Sequence, residues 1–183
     1  MPPTPPEKPE RMSSVDTAWL RMDRPSNLMM ICGVLIFGEQ LTLARLKATL
    51  SDRFLGFKRF RQRAVQAPTG AYWADDRKFD IGAHVRRVKL RGAAGKTELE
   101  TLVSDLMATP LDPAKPMWQF HLVEGYEGGS AVVVRIHHCY ADGIALIQVM
   151  LSMTDADREG RVPGPVPPPP KHSEPTGGDP LAG

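Results

Sequence analysis

The placement of the prolines limits the part of this chain that can fold. Most of the 18 prolines lie at the two ends, in MPPTPPEKPE and in PGPVPPPPKHSEPTGGDPLAG. Such segments cannot supply a packed core and are typical of disordered or extended polyproline structure. We therefore predict a disordered N-terminal segment over residues 1–11, one folded domain over 12–158 and a Pro-rich linker over 159–183.

The composition is that of a soluble globular protein. Of the 183 residues, 42% are hydrophobic and 24% are charged, and the formal net charge of +2 is too small to indicate nucleic-acid binding. Cys32 and Cys139 lack the spacing of a metal or disulfide framework, which favours a reducing cytoplasm. The longest apolar run, LMMICGVLIF, is too short to span a membrane, and the N-terminus has no apolar signal segment. We expect a cytoplasmic protein.

Hydrophobic periodicity predicts helices mixed with strands. The run LMMICGVLIF is nearly continuously apolar, as expected for a strand that is covered on both faces. The letters EGG between two strand-like segments indicate a hairpin. Together the patterns predict an α/β layered domain. Helices are predicted over 13–22, 42–55, 97–109 and 142–153, and strands over 28–37, 59–66, 71–75, 84–90, 117–126 and 130–138.

The segment VVVRIHHCYADGIALIQVM places two adjacent histidines at the end of a β-branched run. Because successive side chains of a strand alternate between its faces, His137 and His138 point apart, and we expect no metal site. A histidine on the apolar side of a strand end can act as a general base, which favours a catalytic His138 supported by His137. Asp142 and Gly143 lie where the strand turns into a helix. Two ordinary histidines beside a helix-capping Asp are the alternative.

The motif HHCYADG resembles the HHxxxDG motif of the CoA-dependent acyltransferase superfamily, which includes chloramphenicol acetyltransferase and peptide-synthetase condensation domains. Its flanks narrow the resemblance. VDTAWLRMDRPSNLMMICGVLIF, FKRFRQRAV and VSDLMATPLDPAKPMWQFHLVEGYEGG are similar to the bacterial wax ester synthase/diacylglycerol acyltransferase family, and PMW stands where that family has Pro-Leu-Trp. The resemblance implies the N-terminal half of such an enzyme, with a chloramphenicol acetyltransferase-like fold in which helices flank a mixed sheet.

The resemblance also implies a reaction. Members of the family transfer a long acyl group from acyl-CoA to a fatty alcohol or to diacylglycerol, and His138 would take the proton of the acceptor hydroxyl. No covalent acyl-enzyme would form, and the chain has no GxSxG nucleophile elbow. His137 and Gly143 would shape the motif loop, and Asp142 would pair with an arginine. Cys139 lacks a paired base and is not expected to be a nucleophile. Acyl-CoA is the substrate, and we expect no cofactor.

The segment RFLGFKRFRQR, residues 53–63, combines five basic residues with three phenylalanines and has no acidic residue. One interpretation is contact with an anionic lipid surface or with the phosphates of CoA. The other is a solvated helix end whose phenylalanines lie in the core. We do not expect this segment to bind nucleic acid.

Pro116 and Trp118 are candidates for the lining of an acyl or acceptor pocket, because a tunnel for a fatty chain is apolar. Ordinary core packing is the alternative for both residues, and the sequence alone does not separate the two.

The superfamily generally builds its active site between two similar domains or between subunits. We therefore expect a partner, either the C-terminal half of the same enzyme or a second copy of this chain, and peripheral contact with a membrane or lipid-inclusion surface. Two alternatives stay open. The chain could be a non-catalytic lipid- or CoA-binding module or a truncated homologue that is inactive without its second half, or it could be another HHxxxDG acyltransferase or condensation enzyme.

Overall fold

The structure, a computed structural model, describes residues 10–140 and 143–155. Its seven described strands are Glu10–Arg11 (β1), Met30–Phe37 (β2), Gln62–Ala67 (β3), Gly70–Asp75 (β4), Val85–Val88 (β5), Trp118–Glu124 (β6) and Ser130–His137 (β7). They form a three-stranded sheet of order β1-β4-β3 and a four-stranded sheet of order β2-β7-β6-β5. The larger sheet is mixed, since β5 and β6 are parallel and its other pairs are antiparallel.

Capping side chains mark the start of some of the helices. The α-helices of the described residues are Ser14–Met22 (α1), Leu43–Thr49 (α2), Ile81–His84 (α3), Lys96–Met107 (α4) and Gly143–Ser152 (α5). The Ser13 hydroxyl accepts the N–H of Asp16 at 3.0 Å, and Thr42 caps α2 in the same way. These two bonds satisfy N–H groups that the first helical turn would otherwise leave unpaired.

The larger sheet separates two hydrophobic clusters, so the domain is layered. On β7, Val132, Val134 and Ile136 belong to one cluster, while Ala131 and Val133 belong to the other. This alternation is the predicted one. The first cluster also contains residues of α1, α2, α5 and the smaller sheet, and the second contains the apolar side of α4. The predicted α/β layered architecture is confirmed.

Strand β2 differs from the prediction. The apolar run was expected to be covered on both faces, but β2 lies at the edge of the larger sheet. Val34 is 40% exposed and Ile36 is 63% exposed. Helix α4 packs over β6 and β7 in the second hydrophobic cluster, and Cys32 is the one β2 residue of that cluster. Val34 and Ile36, on the same face of β2, are left uncovered.

Three element boundaries also differ from the prediction. The helix expected over 42–55 ends as α2 at Thr49 and continues as a wider π turn over Leu50–Phe54, in which both end residues are completely buried. The strand expected over 59–66 begins only at Gln62, because residues 58–61 form a 3-10 turn. Glu10 and Arg11, predicted to be disordered, pair with β4.

The turn before β7 provides a first prediction. A Cβ atom added at Gly129 would overlap the carbonyl of Phe37, whereas one added at Gly33 would meet no heavy atom within 4 Å. We expect Gly129→Ala to lower the free energy of unfolding by about 1–3 kcal/mol through overpacking, and Gly33→Ala, the matched control, to change it far less. Urea unfolding of the three proteins measures this difference. Equal midpoints for both variants would contradict the close approach at Gly129.

Candidate active site

His138 is held at the end of the central strand β7. It is the first residue of a 3-10 turn, His138–Tyr140, and its backbone N–H donates to the carbonyl of Met29 at 2.8 Å. Its imidazole stacks on the indole of Trp19, with ring centroids 4.0 Å apart and planes inclined by 20°. The ring is half-buried, and its Nδ1 atom is buried without a hydrogen-bond partner among the described residues. A positioned imidazole of this kind has a nitrogen free to exchange a proton.

His137, the last residue of β7, is only 2% exposed. Its backbone N–H donates to the carbonyl of Met117 at 3.0 Å, and its Nδ1 accepts the N–H of Cys139 at 3.1 Å. Burial lowers the pKa of His137 below its ordinary value, while the nearby Asp23 carboxylate acts in the opposite direction. His137 is therefore a neutral, buried ring that braces the turn. The prediction that it supports His138 agrees with this placement and stays a prediction about function.

Cys139 lies inside the motif but is unsuited to nucleophilic chemistry. It is 1% exposed, and burial strongly raises the pKa of its thiol, to which the Asp16 carboxylate adds a smaller contribution in the same direction. A protonated and buried thiol does not attack a thioester.

The rest of the motif is described in part. Gly143 is the first residue of α5, so a helix follows the histidine turn as predicted. Asp142 lies outside the described residues, and its predicted pairing with an arginine stays a prediction. Among the residues that the structure does describe, no group of three or more His, Cys, Asp or Glu side chains could hold a metal ion.

Pro116 and Trp118 adjoin the histidine turn through Met117, whose carbonyl accepts the His137 N–H. Pro116 is buried, and Trp118 is completely buried. The Trp118 indole donates to the carbonyl of Phe60 at 2.8 Å and stacks on His84 at a centroid distance of 4.3 Å. These contacts place Trp118 in the core, and its proposed role in a substrate pocket stays a prediction.

The basic segment of residues 53–63 is largely used inside the fold. Phe54 and Phe60 are buried and stacked on each other, with ring centroids 3.9 Å apart. The Arg53 guanidinium pairs with Asp155 at 2.7 Å. Arg59 pairs with Glu10 at 2.9 Å and lies 4.2 Å above the Trp73 ring. The burial of Phe54 and Phe60 favours the interpretation in which the phenylalanines lie in the core, although Phe57 is 39% exposed, and ion pairs engage Arg53 and Arg59.

Two residues that hold the motif from other elements were not predicted from the sequence. Trp19 on α1 supplies the surface on which His138 stacks, and Met29 supplies the backbone acceptor for His138. Tyr140 is buried, and its hydroxyl donates to the carbonyl of Gln62 at 2.8 Å, which ties the turn to the smaller sheet. Only Trp19 could have been suspected from the sequence, because an aromatic residue next to Leu20 in a predicted helix indicates a packed helix surface.

A buried histidine behind the site makes stability depend on pH. His121 on β6 is 5% exposed, and burial, then Arg135 and then Arg86, lower its pKa to about 4. The folded protein keeps this ring neutral, whereas the unfolded chain binds a proton to it below about pH 6.5. His121 therefore has no effect on the pH dependence above pH 6.5, and the free energy of unfolding falls as the pH drops from 6.5 toward 4. We expect His121→Leu to reduce the stability lost between pH 7 and pH 4 by about 3 kcal/mol, using 1.36 kcal/mol per pKa unit.

Urea unfolding of wild type and His121→Leu at both pH values tests the prediction. Since all other titrating groups are shared, the difference between the two proteins isolates His121. Identical pH dependence in both proteins would contradict the assignment.

Solved structures define the fold class of the domain. A wax ester synthase/diacylglycerol acyltransferase from Marinobacter aquaeolei VT8 matches with a TM-score of 0.67 and 23% identity, over 78% of this chain and 36% of that one. The starter condensation domain of rhizomide synthetase matches with a TM-score of 0.69 and 16% identity, over 86% of this chain and 38% of that one. The predicted chloramphenicol acetyltransferase-like acyltransferase fold is confirmed.

The family follows from the sequence comparison. The sequence model of the wax ester synthase/diacylglycerol acyltransferase catalytic domain matches residues 12–181, so the chain belongs to this family. A Mycobacterium tuberculosis H37Rv protein named as the diacylglycerol O-acyltransferase tgs1 is 32% identical over 151 residues, 79% of this chain and 33% of that protein. Another, Rv3087, is 40% identical over 95 residues, 50% of this chain and 20% of that protein. The chain thus spans a fifth to a third of the length of these relatives.

Proposed function

We propose that this chain is the histidine-bearing part of an acyl-CoA-dependent O-acyltransferase that makes wax ester or triacylglycerol. The observation that carries the proposal is the geometry of His138, a half-buried imidazole held by Met29 and Trp19 at the end of a buried strand. Family membership and the printed names of the relatives support the choice of acyl-CoA as donor and of diacylglycerol or a long-chain alcohol as acceptor.

In the proposed mechanism, a ring nitrogen of His138 accepts the proton of the acceptor hydroxyl as the oxygen attacks the thioester carbonyl. A new C–O bond forms, and the C–S bond breaks as the tetrahedral intermediate collapses. The CoA sulfur leaves and takes up the proton held by His138, which returns the ring to its neutral form. The buried, protonated thiol of Cys139 supports a direct transfer with no acyl-enzyme.

The deciding assay measures the release of free thiol from palmitoyl-CoA. Release that depends on hexadecanol or diacylglycerol would support the proposal. Release without an acceptor would indicate hydrolysis. Binding of palmitoyl-CoA with no release, in the chain alone and in the chain supplemented with a C-terminal half of the family, would favour the alternative of a non-catalytic binding module. Because the fold is also similar to a condensation domain, the assay includes an amine as a further acceptor. Release that depends on the amine would favour the alternative of a condensation enzyme.

We propose that the site is completed by the C-terminal half of the same enzyme or by a second copy of this chain. An apolar stripe on α5, formed by Ile144, Ile147 and Leu151, is 57–74% exposed. These residues lie on the helix that follows the histidine turn, at a spacing that puts them on one side of it. Because a solvent-exposed apolar stripe of this size favours a partner, we expect it to become covered when the site is complete.

Sedimentation of the purified chain tests the self-partner arm. A monomer that shows little transfer alone and gains transfer when the remaining part of the enzyme is added would support completion by the C-terminal half. An active dimer that Ile147→Glu dissociates and inactivates would support a self-partner. Robust transfer by a monomer would contradict both.

The location of the enzyme follows from its substrates. No helix of the described residues is long and apolar enough to cross a membrane. We propose a cytoplasmic enzyme that works peripherally at a membrane or lipid-inclusion surface, because its acceptors partition into lipid. Co-sedimentation of the protein with vesicles that contain diacylglycerol tests this proposal, and absence of binding at any lipid concentration would contradict it.

A further inference from the structure

Asp23 lies between helix α1 and the two histidines. It is the C-cap residue that directly follows α1, and its Oδ1 atom accepts the N–H of Met29 at 2.7 Å. Its Oδ2 atom is 3.7 Å from the Nε2 atom of His137. The two oxygens of one carboxylate are thus directed to Met29, which precedes β2, and to His137, which ends β7.

The hydrogen bonds of His137 fix which of its nitrogens carries the proton. Nδ1 accepts the N–H of Cys139, so in the neutral ring Nδ1 has no proton and Nε2 carries it. Nε2 is buried and has no partner within hydrogen-bonding distance among the described residues. The carboxylate of Asp23 faces it slightly beyond that distance. The negative charge of this partly exposed carboxylate attracts the N–H group and favours the tautomer in which Nε2 carries the proton.

Met29 extends the influence of Asp23 to the second histidine. The N–H of Met29 is bound by Asp23, and its carbonyl accepts the N–H of His138 at 2.8 Å. The chain between Asp23 and Met29 is itself closed by reciprocal backbone hydrogen bonds between Arg24 and Asn27, at 2.8 and 3.2 Å. One carboxylate therefore faces the ring of His137 and, through a single residue, Met29, is linked to the backbone of His138.

We propose that Asp23 is a positioning residue for the histidine pair. Asp23 holds His137 as its Nε2–H tautomer and fixes the turn that presents His138. The inference rests on the proposed function, since positioning matters for catalysis only if His138 is the base. Asp23 itself touches neither the ring of His138 nor any reacting atom, and its effect passes through His137 and Met29.

Two substitutions separate the two contacts. Asp23→Asn keeps an oxygen that can accept the Met29 N–H but removes the negative charge beside His137. Asp23→Ala removes both contacts. Asp105→Asn is the matched control, because Asp105 is an exposed carboxylate on α4, which packs against the opposite face of the larger sheet from α1.

The experiment uses the full chain with 15N-labelled histidines, and a His137→Gln variant assigns the His137 signals. In wild type we expect His137 Nδ1 to be unprotonated and Nε2 to be protonated. The Asp23 charge opposes the depression of the His137 pKa by burial and by His138, so in Asp23→Asn the His137 titration midpoint falls further. In Asp23→Ala we also expect the ring-current shift of His138 against Trp19 to decrease.

Kinetics provide the second readout, in whichever form of the protein transfers acyl groups. We expect Asp23→Asn to lower kcat roughly 10- to 100-fold with little change in the KM for palmitoyl-CoA. Its amide N–H group would face the Nε2–H of His137 in place of a carboxylate oxygen and disturb the ring that braces the turn of His138, and misplacement of a base affects the chemical step rather than binding. Asp105→Asn should change neither the midpoint nor kcat.

The outcomes distinguish this inference from the proposed function. An unchanged His137 midpoint and an unchanged kcat in Asp23→Asn would overturn the positioning role. If wild type never transfers acyl groups but Asp23→Asn still shifts the His137 midpoint, the contact of Asp23 with His137 is supported and the proposed reaction is overturned. A shifted midpoint with unchanged kcat would overturn the positioning role while leaving the reaction intact.

Discussion

His138→Ala is expected to lower acceptor-dependent thiol release from palmitoyl-CoA by roughly 10²–10⁴-fold, the usual contribution of a general base. The imidazole is half-buried beside Trp19, and its backbone N–H bond to Met29 does not depend on the side chain. The turn should therefore survive the substitution. The rate is measured in whichever form transfers acyl groups as wild type, the chain by itself or the chain together with its proposed partner.

A second histidine supplies the control for this result. His121→Leu removes a buried imidazole on β6, in the sheet behind the turn, and at pH 7 transfer should continue at close to the wild-type rate. Circular dichroism of both variants verifies that the fold is kept. Near-normal turnover by His138→Ala would remove His138 from the mechanism, and with it the proposed function as stated.

Trp118→Ala is expected to lower the free energy of unfolding by about 3–5 kcal/mol, the range for removal of a large aromatic side chain from a core. Trp118 is completely buried, stacks on His84 and meets the edge of Phe54 at a centroid distance of 4.9 Å. The loss of its indole hydrogen bond to Phe60 adds to the cavity that the substitution leaves.

Trp118→Phe separates the hydrogen bond from the packing. It keeps an aromatic ring but leaves the Phe60 carbonyl unpaired, so we expect a smaller loss of about 1–3 kcal/mol. Urea unfolding measures both variants. If Trp118 instead lined a substrate pocket, the alanine variant would keep its stability and change its preference for acyl chain length, which would contradict the core assignment.

The sequence was informative wherever a local pattern determines local structure. The β-branched run of β7, the capped helices and the step from histidine turn to helix were all predicted, because periodicity and capping act within a few residues. The edge position of β2 was not predicted. An apolar run shows that a strand can be buried, but which of its faces is covered depends on the length and placement of α4.

The histidine motif was likewise visible, but its supports were not. Trp19, Asp23 and Met29 lie more than 100 positions from His138, and no spacing rule connects them to it. Their role exists only after β2 pairs with β7 and α1 packs on the turn. Pair contacts of this kind are decided by tertiary packing, and a single sequence does not reveal them.

The pairing of β2 with β7 also has a consequence for the order of folding. Phe37, the last residue of β2, pairs with Ser130, the first residue of β7, so the ribosome must synthesise residues 38–129 before the partner of β2 begins to appear. Loop closure over such a distance is slow, and contacts of this range delay folding relative to local hairpins such as β3–β4. We therefore expect the apolar segment MICGVLIF to stay without its β7 partner while residues 38–129 are synthesised, which makes it a candidate binding segment for a chaperone on the nascent chain.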